Sequence, residues 1–289
     1  MKILAAYCTV ILIWSTTPLA IKWSGEGPGF LLGVTARMVI GLLCVLLLLL
    51  AKRQRLPWQR RALACYLAVG VHLYGSMLAV YWGAQWIPSG WVAVIFGLTP
   101  LLTAILSRLW LRGYRSSSQQ WLAYGGGLAG LAILFGSAPD HGPNALCGML
   151  GVLLSALLQA LSAVWIKRLE AGIAPLCQLG GGLLLAVPAY LATWAWFDGI
   201  WPPPLLPVPA LASIVYLGVV ATTIGFPLYY YVLNHLAATR VSLITLVTPV
   251  SALYLGNWIN GEPLTARIAG GTACILLSLL VHEFARRAD

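Results

Sequence analysis

The chain has 289 residues, of which 60% are hydrophobic and 8% charged, with a mean hydropathy of +0.88. A soluble domain carries about a quarter charged residues, so this chain could not cover itself with a polar surface, and a soluble globular fold is excluded. The net charge of +10 invites a nucleic-acid reading. The placement of the basic residues assigns the excess to membrane topology instead, and no nucleic-acid partner is expected.

Ten apolar spans are predicted, at residues 3–22, 30–51, 63–86, 89–110, 121–137, 145–166, 176–197, 209–233, 241–259 and 267–284. Each is close to the ~20 residues that cross a bilayer core. The first contains Ile13-Trp14-Ser15-Thr16-Thr17-Pro18. Lys2, an apolar run and Pro18-Leu19-Ala20 outline a cleavable leader. We read it as a span, because its loss would leave nine spans and break the match between the halves described below. The second holds Arg37, the one arginine inside a span, about 10 Å from the outer end at 1.5 Å per residue. Two roles are open to it: snorkelling or capping buried carbonyls, and countering a substrate carboxylate.

In the third span Tyr74, Leu78, Tyr81 and Gln85 step by four, three and four and share one helical face. His72 in the same span is either a hydrogen-bonded packing residue or a proton-coupling group. The fourth carries Phe96, Thr99 and Thr103 on one face, with Pro100 interrupting the helix. Gly126 and Gly130 in the fifth permit close helix approach. The segment 138–144, with Asp140-His141-Gly142-Pro143, reads as a linker. Ser155, Gln159 and Ser162 form a polar stripe in the sixth span. The eighth carries Thr223, Pro227, Tyr230 and Asn234 at the spacing seen in the third, and the ninth carries Thr245, Thr248 and Pro249. Gly261-Glu262-Pro263 precedes the tenth, which has Gly270 and Gly271.

Basic residues alternate in side. Lys2, Lys52, Arg53, Arg55, Arg60, Arg61, Arg108, Arg112, Arg115, Lys167, Arg168, Arg240, Arg286 and Arg287 fall on one side, and only Lys22 and Arg267 fall opposite. By the positive-inside rule both termini are cytoplasmic, and the basic side faces anionic lipid headgroups.

The polar pattern recurs. Tyr74, Tyr81, Gln85 and Thr99-Pro100 reappear 149 residues later as Thr223, Tyr230, Asn234 and Thr248-Pro249, while Ile21-Lys22 reappears 145 residues later as Ile166-Lys167. Five spans precede the linker and five follow it, so the second half is expected upside down relative to the first. The predicted architecture is an all-α membrane protein of ten transmembrane helices in two inverted five-helix repeats. Residues 1–137 form the first repeat, 138–144 an outer linker, and 145–289 the second repeat with a short basic cytoplasmic tail.

Together with the motif at 13–18, Ala36-Arg37, the two Thr-Pro pairs and Gly261-Glu262-Pro263, this organisation resembles the EamA-type family of the drug/metabolite transporter superfamily. The resemblance covers essentially the whole chain. It implies an inverted-repeat inner-membrane carrier, often an exporter of amino acids or other small metabolites, with a cavity lined by spans 1, 3, 4, 6, 8 and 9. The first half departs from the pattern, having Gly113-Tyr114 where the second has Gly261-Glu262.

The expected function is export of neutral or aromatic amino acids, or similar amphipathic metabolites, by alternating access. An amide facing lipid would lack a hydrogen-bond partner, so the polar stripes should face inward. The expected substrate-binding residues are Trp14, Thr17, Tyr74, Tyr81, Thr99, Gln159, Ser162, Thr223, Tyr230 and Thr248. Arg37, His72, Gln85 and Asn234 are gate or charge candidates, and Pro100 and Pro249 are hinge candidates. For any one serine or threonine the competing role is an inter-helix hydrogen bond.

All seven carboxylates fall in loops or near span ends, so no strong coupling ion is expected. The alternative is proton-coupled efflux of lipophilic cationic drugs held by aromatic faces. A lipid-linked substrate flippase and a membrane-embedded enzyme are further readings. The enzyme would need a cluster of carboxylates, histidines or a nucleophile with its base, which the sequence does not offer. The six cysteines show no Cys-x-x-Cys pair or nearby histidine. No metal or cofactor is expected. The expected partners are a small-molecule substrate and membrane lipid, with monomer and homodimer both open.

Overall fold

The computed structural model describes residues 2–27, 29–110, 118–137, 142–199, 205–225, 227–228, 232 and 238–288; side chains at 2, 118, 238–243, 245 and 286–288 lie outside that description. The described residues are helical with no strand among them. We label the helical segments α1 (Lys2–Ser24), α2 (Phe30–Ala51), α3 (Arg60–Gly83), α4 (Ser89–Trp110), α5 (Ser118–Phe135), α6 (Ala145–Leu169), α7 (Pro175–Phe197), α8 (Val208–Gly225), α9 (Ala238–Asn260) and α10 (Ala266–Ala288). Eight of these, all but α5 and α9, are long and apolar enough within the described residues to cross a bilayer. The chain is a multi-pass membrane protein.

Helix ends agree with the apolar runs to within about four residues, except where α8 meets residues outside the description. The runs end where polar or helix-breaking residues begin. Ser89 starts α4 directly after Pro88, which cannot continue a helix from the preceding turn, and α7 takes Pro175 in its first turn, where the missing N–H has no intrahelical acceptor. Large apolar side chains remain on the outside at helical spacing: Leu43, Leu47 and Leu50 on α2, and Leu146, Leu150, Leu154 and Leu157 on α6. Such stripes require an apolar solvent.

The packing interlocks the two ends of the chain. α1 lies against α8 and α9, whereas α6 lies against α3 and α4. α2 packs on α7 and α8, and α7 on α2 and α3. α4 meets α9, and α5 pairs with α10. Each of these pairings maps onto itself or onto another when five is added to the helix number. A core of Val34, Met38, Leu73, Val80, Tyr81, Trp91, Ile95, Met149, Val152, Leu183 and Leu217 runs through the centre.

Two helices depart from regular α geometry. α3 passes through a π-helical stretch at Val71–Ser76 and α8 through one at Tyr216–Gly225. Hydropathy cannot reveal a π turn, since one extra residue per turn leaves the apolar run intact. α4 is broken between Phe96 and Thr99, so Pro100 stands in the first turn of its second piece. Pro249 lies inside a continuous α9. The two matched prolines therefore do different local work.

Candidate functional site

Polar side chains from both halves meet where α2, α3 and α8 come together. Arg37 on α2 is 5% exposed. Its Nε donates to Thr222 Oγ1 at 3.3 Å and its Nη1 to Tyr81 OH at 3.4 Å. The guanidinium carbon lies 5.9 Å from the centre of the Tyr81 ring, within cation–π range. Tyr81 is fully buried. On the α8 side, Tyr216 OH is 2.6 Å from Thr16 Oγ1 on α1.

The π-helical stretches build this junction. A π turn pairs each carbonyl with the N–H five residues on in place of four, and such turns recur at functional sites. In α8 the side chains of Thr222 and Thr223 add donors along that ladder, reaching Leu217 O at 2.9 Å and Gly218 O at 3.0 Å, each five residues back. In α3 an added side-chain donor comes from the other half: Tyr190 OH on α7 reaches Leu73 O at 3.0 Å and Tyr74 O at 2.9 Å. Tyr74 in turn bonds Thr193 on α7 at 2.6 Å, and its ring meets that of Tyr190 edge-on at 4.9 Å.

The predicted site residues therefore separate. Tyr81 joins Arg37, but Tyr74, expected on the same face, is directed to α7. Ser162 donates to Ala68 O at 2.7 Å, and Ser155 and Ser76 exchange hydrogen bonds at 2.6–2.9 Å. These three serines lie in the α3–α6 seam. Thr17 is bonded to Ile13 O within its own helix. Trp14 is half-buried, between the central core and a smaller cluster of Val10, Val232 and Ile244. Thr99 Oγ1 and Gln159 Oε1 are buried atoms with no hydrogen-bond partner among the described residues, and Thr248 is buried. Gln85 turns back to Tyr81 O at 3.1 Å. Its amide lies so close to Gly25 that a Cβ there would meet it at 2.7 Å. His72 sits in the first π stretch. Tyr230 and Asn234 lie outside the described residues.

Sequence reasoning missed Thr16, Tyr190, Thr193, Tyr216 and Thr222. The pair Tyr190/Thr193, polar at a spacing of three within an apolar run, was a readable signal. It also missed the role of Glu262. This carboxylate, 8% exposed, accepts from Ser89 N–H at 2.9 Å, Ser89 Oγ at 2.9 Å, Gly90 N–H at 3.2 Å and Asn260 Nδ2 at 2.9 Å. Lys22 Nζ stands 3.5 Å away and also donates to Ile87 O. One side chain from the α9–α10 turn thus caps the N-terminus of α4, where free N–H groups favour negative charge, and ties down the end of α1. Burial pushes the Glu262 carboxyl up, but the Ser89 N–H, the Asn260 amide, the Lys22 charge and the Gly90 N–H outweigh it and hold the group below its ordinary value of 4.5.

At the other end of α3 a surface hollow of about 380 Å³ lies between Gln54–Gln59 and Ala171–Cys177, remote from Arg37. Among the described residues, no group of three or more histidines, cysteines and carboxylates could hold a metal ion.

The chain matches the model of the EamA-like transporter family over residues 1–136 and 146–282. It is 25% identical over 286 residues to the uncharacterized transporter YoaV of Bacillus subtilis, covering 98% of this chain and 97% of that one. It is 26% identical to an uncharacterized transporter of Archaeoglobus fulgidus, covering 94% and 95% of the two chains. A probable terminal-alkyne amino-acid exporter of Streptantibioticus cattleyicolor is 25% identical over 287 residues, covering 94% and 93%. A crystal structure superposes with a TM-score of 0.66 at 23% identity, covering 99% of each chain, which shows the shared fold. With both halves of the helical bundle matched from end to end, the chain belongs to the EamA-like transporter family.

Proposed function

We propose that this transporter is an inner-membrane exporter of neutral or aromatic amino acids, or similar amphipathic metabolites, working by alternating access without a strong coupling ion. In this reading ten helices form two inverted five-helix repeats with both termini cytoplasmic, and the family matches at 1–136 and 146–282 correspond to the repeats. The exchange of packing partners between the halves supports it. The observation that carries the substrate class is the polar and aromatic junction of Arg37, Tyr81, Tyr216, Thr222 and Thr16 inside an otherwise apolar bundle. Apolar walls with a few converging polar groups suit a small amphipathic solute. The amino-acid exporter named among the relatives points the same way.

Trp14, Tyr81 and Tyr230 would contact the apolar part of the substrate, and Gln159, Thr99 and Thr248 the polar part. Thr99 and Gln159 each offer a buried oxygen with no partner among the described residues. The Glu262 contacts would hold the outer side closed, and the break before Pro100 would let α4 pivot.

The test is efflux from proteoliposomes loaded with labelled aromatic, branched-chain and basic amino acids and a lipophilic cation, with and without a pH gradient. Saturable efflux of neutral amino acids, indifferent to the gradient, is expected. Trp14→Ala and Gln159→Ala should each cut that flux about tenfold, the equivalent of one lost interaction worth about 1.4 kcal/mol, with normal membrane insertion. Proton-driven flux of the cation alone would overturn the reading.

A further inference from the structure

Arg37 differs from Lys22 in what answers its charge. Lys22 has a carboxylate, Glu262 at 3.5 Å. Arg37 is the more buried, yet its partners are a threonine hydroxyl and a phenol, and no carboxylate lies within ion-pair distance among the described residues. A guanidinium carries five N–H donors. Two are engaged here, leaving three without a partner among the described residues.

The bonds it does make are long. At 3.3 and 3.4 Å they exceed the roughly 2.7–2.9 Å of a charge-assisted contact to a carboxylate. Two stretched bonds to neutral oxygens and one aromatic face undercompensate a charge removed from water, which is otherwise paired when buried. The charge is also held in place: Thr222 is fixed by its own bond to Leu217 O at 2.9 Å, and Tyr81 is packed with no exposed surface. The result is a rigid cation at the junction of the halves with an unused fork of donors, which matches the two oxygens of a carboxylate.

Resting on the carrier reading above, we infer that Arg37 binds the carboxylate of the transported substrate, so that a carboxylate is an obligatory feature of what this protein moves. The guanidinium fork holds the two carboxylate oxygens. The phenols of Tyr81 and Tyr216 and the hydroxyl of Thr16 remain for a neighbouring amine, and lipophilic cations are excluded by like charge.

Substrate pairs test this on the unaltered protein. Reconstituted transporter is assayed for saturable efflux of L-phenylalanine and of L-phenylalaninamide, which lacks only the carboxylate, and for inhibition by 3-phenylpropionate and by phenethylamine. The acid should move at least about tenfold faster than the amide, and 3-phenylpropionate should inhibit where phenethylamine does not. Arg37→Gln should bring the two rates together, and Arg37→Lys should keep the preference with a raised KM, since an ammonium supplies the charge without the fork. Equal efflux of acid and amide by the wild type, with phenethylamine as effective an inhibitor, would overturn the inference while leaving the amino-acid carrier standing. Flux of a lipophilic cation with none of either phenylalanine compound would overturn both. Should Arg37→Gln not reach the membrane, the wild-type pairs alone decide between these outcomes.

Discussion

Tyr190 shows how a single hydroxyl maintains an irregular helix in this protein. Its one proton is shared between the carbonyls of Leu73 and Tyr74 in the π turn of α3, and Tyr74 O also accepts from the Met77 N–H. Tyr190→Phe would remove that donor from a fully buried place. Losing a buried hydrogen bond of this kind costs about 0.5–1.5 kcal/mol, so a loss of thermal stability in detergent is expected. A thermal melt of Tyr190→Phe beside Thr193→Val, which removes the neighbouring bond to Tyr74 but spares the carbonyls, separates the two roles. Tyr81 was legible as an interior residue from sequence alone. Its partner was not, because Arg37 is 44 residues away and could equally have turned toward the headgroups.

Among the elements, the α5–α10 pair is held by glycines. A Cβ on Gly130 would meet Gly271 O at 2.7 Å and a Cβ on Gly271 would meet Gly130 O at 3.0 Å, so the two backbones touch. Close approach of this kind was expected from the small residues in both spans. Gly130→Leu should separate the helices and cost at least about 1–3 kcal/mol as an overpacked substitution, read as a lowered melting temperature. Exposed Gly125, with nothing near its Cβ position, should accept alanine unchanged.

The turn between α9 and α10 gives a pH-dependent prediction. Glu262 is held below its ordinary 4.5 when folded, so its contribution to stability is present above that ordinary value and is lost as pH falls through the lowered one. Melting temperatures measured from about pH 7 down to about pH 3 should show an acid loss that Glu262→Gln flattens. The same variant should be less stable at neutral pH, because Lys22 and the Ser89 and Gly90 N–H groups lose their charged acceptor. Sequence placed Glu262 beside a span end and, finding Tyr114 at the matching position of the first half, had no reason to give it a partner.

At the scale of the whole molecule, the proposed topology fixes an orientation. Single cysteines placed at Gln54 and at Leu205 in a cysteine-free background should be labelled by a membrane-impermeant maleimide from opposite sides. Gln54 should react only from the cytoplasmic side and Leu205, fully exposed, only from the outside. Labelling of both from one side would remove the ten-span topology and the assignment of the Glu262 contacts to the outer face.

What the sequence determined by itself was the solvent, the helical class and nearly all helix limits. Span 30–51 and span 89–110 coincide with α2 and α4 as observed. These features are local: transfer of about twenty residues into hydrocarbon, with every backbone group bonded inside its own segment, depends on the composition of that segment alone. The tertiary structure decided which polar groups meet. Arg37 finds Thr222 185 residues on, Thr16 finds Tyr216 200 residues on, and Glu262 finds Ser89 173 residues back. Such partners are chosen by helix rotation and register, and the two π turns shift the rotation of α3 and α8 without changing their hydropathy. In an apolar solvent most interior-facing polar residues look alike in sequence, and the geometry of the packed bundle separates the seam serines from the arginine junction.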